Sequence, residues 1–257
     1  MIWHSGDYHA KHKNLLEGNY DGRRDKFSSI TEMDNYIIDS TNQYVKTTDL
    51  FIYHGDFILP PIPKHDTYWY NQVFKEYLSR INCKAILFVS GNHDRTHLKS
   101  HGIYTPNWEL WDLFRWEKQC FTCGHLRNIH LQPDCNLCKN KRGWQPEKDR
   151  WIEHMHPMGY EYKLTKALNQ AHGIPREYDG VTVDCTHYAQ RVWNKSHYNR
   201  QGRAVGISVS GHSHGKLEPL PYSIDVGFNI WNRPLSIVEI LEIIKERASM
   251  SFNKGAI

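Results

Sequence analysis

The chain has 257 residues, 39% hydrophobic and 23% charged, and its 32 Lys and Arg against 28 Asp and Glu leave a net charge of +4 with histidines neutral. That length can bury a full core, as one domain with an insertion or as two domains, and the mild, mixed charge carries no argument for nucleic acid by itself. No apolar run approaches the ~18 residues needed to span a bilayer, and the N-terminus Met-Ile-Trp-His-Ser-Gly-Asp has neither a basic segment nor an apolar signal core, so a soluble, cytoplasmic protein is expected.

Met1-Ile2-Trp3 reads as a short strand that leads into a polar, His-rich loop. Ser28-Ser29-Ile30-Thr31 offers a helix cap, and Met33, Tyr36, Ile37, Tyr44 and Val45 recur at near-helical spacing. A second strand begins at Asp49, runs through Leu50-Phe51-Ile52-Tyr53 and ends at Gly55-Asp56. Residues 59–65, rich in proline, form a loop, and residues 70–78 form a helix with Val73, Phe74, Tyr77 and Leu78 on one side. Ala85-Ile86-Leu87-Phe88-Val89 is a third strand. Further on, Val181-Thr182-Val183, Val205-Gly206-Ile207-Ser208-Val209 and residues 222–226 read as strands, and residues 235–244 suit a strand or a terminal helix. Strand alternating with helix predicts an α/β layered fold with its functional groups at the carboxyl ends of strands.

Between His93 and His187 the pattern breaks. Residues 105–178, rich in Trp, Arg, His and Pro, are read as an insertion that separates two core segments, 1–104 and 179–257. The insertion carries Cys120-Phe-Thr-Cys123 and Cys135-Asn-Leu-Cys138, two CxxC knuckles with eleven residues between them. Each knuckle bends the backbone so that two thiolates converge, and four thiolates close a tetrahedral site for one structural zinc in a loop too small for its own core. From Gly124 to Arg150 there are six Lys or Arg against three Asp or Glu, interleaved with His125, His130 and Trp144. Basic residues beside aromatics suit contact with nucleic acid, and a zinc-stapled structural flap accounts for the same composition. Cys83 and Cys185 flank strand-like segments and are expected to be inert core thiols.

Five short segments place a metal-binding or acid/base group just after an apolar run: Asp7-Tyr8-His9, Gly55-Asp56, Gly91-Asn92-His93-Asp94, His187 and Gly211-His212-Ser213-His214. Taken singly, each has a duller reading as a turn or a satisfied histidine. As an ordered set they supply ligands for two divalent metal ions, and the His and carboxylate mixture suits Mn, Fe or Zn. Hydrolysis of a phosphate ester needs a nucleophile at neutral pH, cancellation of charge on the phosphoryl oxygens and a proton for the leaving alkoxide. Two ions about 3.5–4 Å apart supply the first two by lowering the pKa of a bridging water and clamping the phosphate. A carboxylate such as Asp56 can bridge both ions, and imidazoles with the neutral Asn92 keep the site able to admit an anion. His12, His97 and His101 are further phosphate contacts to consider beside a surface role, and His54 is either a support of the site or a packing residue. His154 and His156 are read as loop residues, and Trp108, Trp111 and Trp116 as core.

The set resembles the calcineurin-like metallophosphoesterase superfamily, whose pattern runs DxH, GD, GNH(D/E), H and GHxH in this order over residues 7–214. The local context, Asp7-Tyr-His9-Ala-Lys-His12-Lys-Asn14 with Asp225-Val-Gly-Phe-Asn-Ile-Trp-Asn-Arg-Pro234, is similar to the small stand-alone phosphoesterases of bacteria and their phages, although a glycine common there is absent at Ala10 or Lys11. The likeness covers most of residues 1–100 and 180–242 and not the knuckle segment. It implies a four-layer α/β/β/α sandwich in which Asp7, His9, Asp56 and His214 hold one metal and Asp56, Asn92, His187 and His212 the other. His93 is then the leaving-group acid or charge stabiliser, supported by Asp94. The expected activity is hydrolysis of phosphodiesters, on nucleotides, cyclic nucleotides or nucleic acid, with GNHD rather than GNHE pointing that way. The alternatives are a phosphomonoesterase, a nucleic-acid-binding or scaffold module that works through the knuckles, and a nuclease that combines the two.

Overall fold

The computed structural model of the chain describes residues 1–59, 73–94 and 160–254, apart from 19, 20, 24, 74, 75, 78, 84, 90, 201 and 202. Cys120, Cys123, Cys135 and Cys138 lie outside the described residues, as do His97, His101, His154, His156 and the three tryptophans. The described residues form a mixed α/β structure with two four-stranded mixed sheets.

The first sheet has the order β3-β2-β1-β8. Strands β1 (Ile2–Ser5), β2 (Leu50–Tyr53) and β3 (Ala85–Phe88) are parallel, and β8 (Leu235–Ser236) runs antiparallel to β1. The second sheet has the order β4-β5-β6-β7. Here β5 (Thr182–Cys185), β6 (Gly206–Ser210) and β7 (Ser223–Asp225) are parallel, and β4 (Tyr160–Lys163) is antiparallel to β5. Strand β2 shows how one run of apolar residues serves two cores. Its side chains alternate, so Leu50 and Ile52 enter the core shared with Val183, Ile207 and Val209 of the second sheet, while Phe51 and Tyr53 enter a second cluster on the other face. Each such side chain contributes about 1.5–3 kcal/mol when fully enclosed. Both faces of β2 are buried, which explains why it reads as a continuous apolar run.

Two short helices, α1 (Asn14–Glu17) and α4 (Phe228–Trp231), flank the strands, and the second cluster is closed by α2 (Ile30–Tyr44), which presents Met33, Ile37 and Ile38 to Phe51, Tyr53, Ile86 and Phe88. Its start follows from Ser29-Ile-Thr-Glu32. The Ser29 side chain accepts from the Glu32 N–H, and Glu32 accepts from the Ser28 N–H at 2.8 Å, a reciprocal cap of a kind that contributes about 1 kcal/mol. The same device recurs at the C-terminus. Ser236 and Glu239 exchange backbone and side-chain bonds at 2.8 and 3.2 Å and start α5 (Ile237–Lys254), so residues 235–244 turn out to be both a short strand and a helix. Helical residues at 73, 76, 77, 79 and 80 fall in and just beyond the predicted span 70–78, with Val73 and Tyr77 buried in the α2 cluster. Cys83 and Cys185 are buried, and the Cys83 thiol donates to the Asp49 carbonyl at 2.9 Å.

One boundary is corrected. Residues 160–178, assigned to the insertion by composition, contain β4, a helix α3 (Lys166–His172) and a 3-10 turn at Arg176–Tyr178, and Tyr162, Leu164, Leu168, Ile174 and Tyr178 belong to the core between the sheets. The core therefore resumes at Tyr160. Strand β4 escaped detection because Tyr-Glu-Tyr-Lys alternates over only four residues, too few to stand out from a neighbourhood rich in Trp and His. Among the described residues no helix is long and apolar enough to cross a membrane.

Candidate metal centre

Parallel strands end on the same edge of their sheet, so the turns after β1, β2, β3, β5 and β6 bring residues 7–9, 56, 91–94, 187 and 212–214 together. The turns are stitched directly to one another. The Asp7 N–H donates to the Gly55 carbonyl at 3.0 Å and the His9 N–H to the Asp56 carbonyl at 2.9 Å. Asp7, His9, Asp56, His212 and His214 all have left-handed backbone, with φ between 47° and 66°. Non-glycine residues seldom adopt this conformation, and it concentrates where a chain must aim side chains at a common point. Gly55 is required by its φ of 85° and by contact, and Gly91 by contact: a Cβ on Gly55 would lie 2.5 Å from the Gly91 nitrogen, and one on Gly91 would lie 2.1 Å from Asp56 Oδ1.

Three overlapping groups result, each with ligand atoms within 4.8 Å of one another: Asp7, His9 and His214; His9, Asp56 and His93; and Asp56, His187 and His212. Asn92 joins the last, with Oδ1 3.0 Å from His187 Nε2. Asp56 Oδ2 is 3.4 Å from His187 Nε2 and 3.8 Å from both His9 Nε2 and His93 Nε2. All seven residues named as ligands by sequence thus surround one point of the fold, with Asp56 at its centre. His93 stands at the rim, its side chain 36% exposed, and its N–H is fixed by Asp56 Oδ1 at 2.9 Å. The Asp94 carboxylate is enclosed, and three backbone donors engage it: the N–H of Asp56 at 2.6 Å, of Gly91 at 3.0 Å and of Phe57 at 3.1 Å. Its visible role is to bind the turn after β2 to the turn after β3. His12 lies near the same rim, 6.4 Å ring to ring from His93.

The residues fit a cation on three counts. Asp7 Oδ1 and both ring nitrogens of His9 are enclosed without a hydrogen-bond partner, although an enclosed polar atom left unpaired costs about 1–3 kcal/mol. The donors are imidazole and carboxylate, the set that first-row divalent metals accept. The charges are also poised for it. Burial pushes the Asp7 carboxyl well above its ordinary range and the His9 imidazole well below its own, so neither is comfortable ionised without a partner. Burial opposes ionisation of Asp56 too, but the hydrogen bond from His187 and the charge of His9 outweigh it and hold the carboxyl low. His187 is pushed up to about 9, the Asp56 hydrogen bond overriding the effect of burial. Asp94 is pushed up to about 6 by burial and by the charge of Asp56.

Several supporting residues carry no readable signal. Arg23, 3% exposed, donates to the carbonyls of Asp7 and Tyr8 and pairs with Asp21 at 2.9 Å, bracing the first ligand turn from a polar loop. Asp21 Oδ2 lies 3.5 Å from His214 Nδ1, and Asn229 Oδ1 lies 3.2 Å from the same nitrogen. Asp225, at the end of β7, accepts from the Ser213 hydroxyl and from the Gly215 N–H at 3.1 Å and so shapes the GHSH loop. Only Asn229 and Asp225 fall in a segment the family resemblance marks.

No family model and no curated protein matches the chain. Among solved structures it is similar to AQ665, a protein of unknown function from Aquifex aeolicus, at 16% identity and a TM-score of 0.37, over 95% of this chain and 98% of that one.

Proposed function

We propose that the chain is a binuclear metal-dependent phosphoesterase of the calcineurin-like kind, an α/β/β/α sandwich with a zinc-ribbon-like insertion. The observation that carries this reading is the position of Asp56, whose carboxylate belongs at once to a His9 group and to a His187 group, as a bridging ligand must. In this reading Asp7, His9, Asp56 and His214 hold one ion and Asp56, Asn92, His187 and His212 the other, while Cys120, Cys123, Cys135 and Cys138 hold a structural zinc. The ions, when bound, activate water at neutral pH and neutralise the phosphoryl oxygens.

The chain supplies the rest. His93, at the rim and anchored through its N–H to Asp56, gives a proton to the departing oxygen. Asp94 keeps the His93 turn and the Asp56 turn in one register. Arg23 fixes the carbonyls of Asp7 and Tyr8 and adds a buried positive charge behind the first ligand turn. The substrate is a phosphodiester, of a nucleotide or of nucleic acid, and the GNHD form of the third motif is what favours the diester.

The test is to load purified protein with manganese and compare hydrolysis of an aryl phosphodiester with that of the matching monoester. Diester turnover that stops on adding a chelator is expected. Preference for the monoester would make the protein a phosphatase. No turnover with two manganese ions bound would overturn the hydrolytic reading, and salt-sensitive binding of DNA or RNA would then support a binding module.

A further inference from the structure

Beneath the metal centre a polar seam crosses the apolar core from one sheet to the other and back. Tyr162 on β4, His4 on β1 and His54 after β2 are each 0–2% exposed. Tyr162 Oη is 3.0 Å from His4 Nε2, His4 Nδ1 is 2.9 Å from His54 Nε2, and His54 Nδ1 is 3.0 Å from the carbonyl of Thr186. The direction of every proton in this chain follows from its last link. A carbonyl only accepts, so His54 carries its proton on Nδ1 and offers the Nε2 lone pair. His4 must then donate from Nδ1 and accept at Nε2, and Tyr162 must donate its hydroxyl. In this arrangement each ring carries a single proton, on Nδ1.

The seam ends on the residue before His187, and His187 answers it. Its Nδ1 is 2.7 Å from the His54 carbonyl, so His187 also carries a proton on Nδ1, and its Nε2 faces Asp56 and Asn92. His54 therefore grips both sides of the ligand: its ring holds the Thr186 carbonyl, and its carbonyl holds the His187 ring. We propose that His54 is a positioning residue for the ligand His187, and that Tyr162 and His4 act as a relay that locks His54 in the one tautomer able to do this. The proposal deepens the metal-centre reading and rests on it.

Two experiments test it. Imidazole 15N NMR of metal-free protein reads the tautomers without reference to metal. His4 and His54 are expected as Nδ1–H, the less common form of a free imidazole, and an Nε2–H His54 overturns the relay. Titration with Mn2+, which carboxylates and imidazoles accept and a thiolate cluster does not favour, reads the consequence. His54→Leu is expected to weaken about 10–100-fold the one site that His187→Ala removes, leaving the other unchanged. His54→Asn, whose amide can still reach the Thr186 carbonyl, restores it. Equal weakening of both sites, or of neither, overturns the positioning role. If His54→Leu does not fold, Tyr162→Phe takes its place: it deletes one hydroxyl, and a few-fold loss at the same site with mixed His54 tautomers is expected, whereas unchanged tautomers overturn the relay. Wild-type titration unaffected by His187→Ala would mark the failure of the metal-centre reading instead.

Discussion

The two ends of the candidate metal centre differ in how far the protein alone satisfies them. At the Asp7–His9–His214 end, Asp7 Oδ1 and both His9 nitrogens are enclosed and unpaired. At the Asp56–His187–His212 end, His187 uses one nitrogen on the His54 carbonyl and the other on Asn92 and Asp56, and Asp56 also receives the His93 N–H. The unmet bonds of the first end are ones that a cation would fill. A proton can complete the second, because a charged His187 and an ionised Asp56 neutralise each other. A metal bound here would therefore displace a proton at the second end and fill unmet bonds at the first, two routes by which binding couples to folding and to pH.

The comparison breaks most sharply at the shared ligand. Asp56→Asn removes the one carboxylate common to both ends and should lower diester turnover on the order of a thousand-fold or more while weakening both metals; retention of full activity would sink the bridging assignment. His93→Ala should leave both metals bound and reduce turnover about a hundredfold, most for poor leaving groups, as loss of a general acid does. Metal loss in that variant, seen by elemental analysis, would mean the ring is a ligand.

Stability of the metal-free protein separates the ends themselves. Asp7→Asn should raise it by about 1–3 kcal/mol, because an enclosed carboxyl whose Oδ1 has no partner is replaced by a neutral amide that can keep the His212 N–H bond of Oδ2. His187→Ala should lower it by a similar amount, because Asp56 loses its closest ring partner. Urea denaturation in the presence of chelator decides this, and the same sign for both variants would erase the distinction.

The smallest effect lies on the outer part of the second sheet and serves as a control remote from the ligand set. Asp184 stands directly across from Glu161 in the β4–β5 pair, and burial, with the charge of Glu161, pushes its carboxyl up to about 7. A carboxyl raised in the folded state stabilises as the neutral acid. Its contribution is complete below about pH 4 and is lost as pH rises through 7. Asp184→Asn should therefore gain about 1 kcal/mol over the wild type at pH 8 and close to nothing at pH 4. An equal gain at both would assign the effect to packing.

Much of the site was legible because its elements are local. An apolar run followed by Asp, His or Asn at a turn is visible in a window of ten residues, and β1, β2, β3, β5, β6 and β7 all lie within a residue or two of where such runs were read. The caps of α2 and α5 are equally local, each a Ser followed three residues later by Glu. Strand β4 was not legible, because four residues of alternation look like chance. Arg23 was not legible either: an Arg in a polar loop looks solvated until the fold shows that its guanidinium ends on two backbone carbonyls.

His54 marks the line between the two kinds of information. Sequence by itself determined that a histidine sits immediately before Gly55-Asp56 and that His, Asp or Asn ends strand after strand, because those are properties of short segments and their turns. Only the tertiary structure decided what His54 touches. Its partners lie 50 and 132 residues away in the chain, and the ligand it holds lies 133 away. A hydrogen bond depends on distance and direction between atoms, and no periodicity along the chain encodes a contact made by closing one sheet on another.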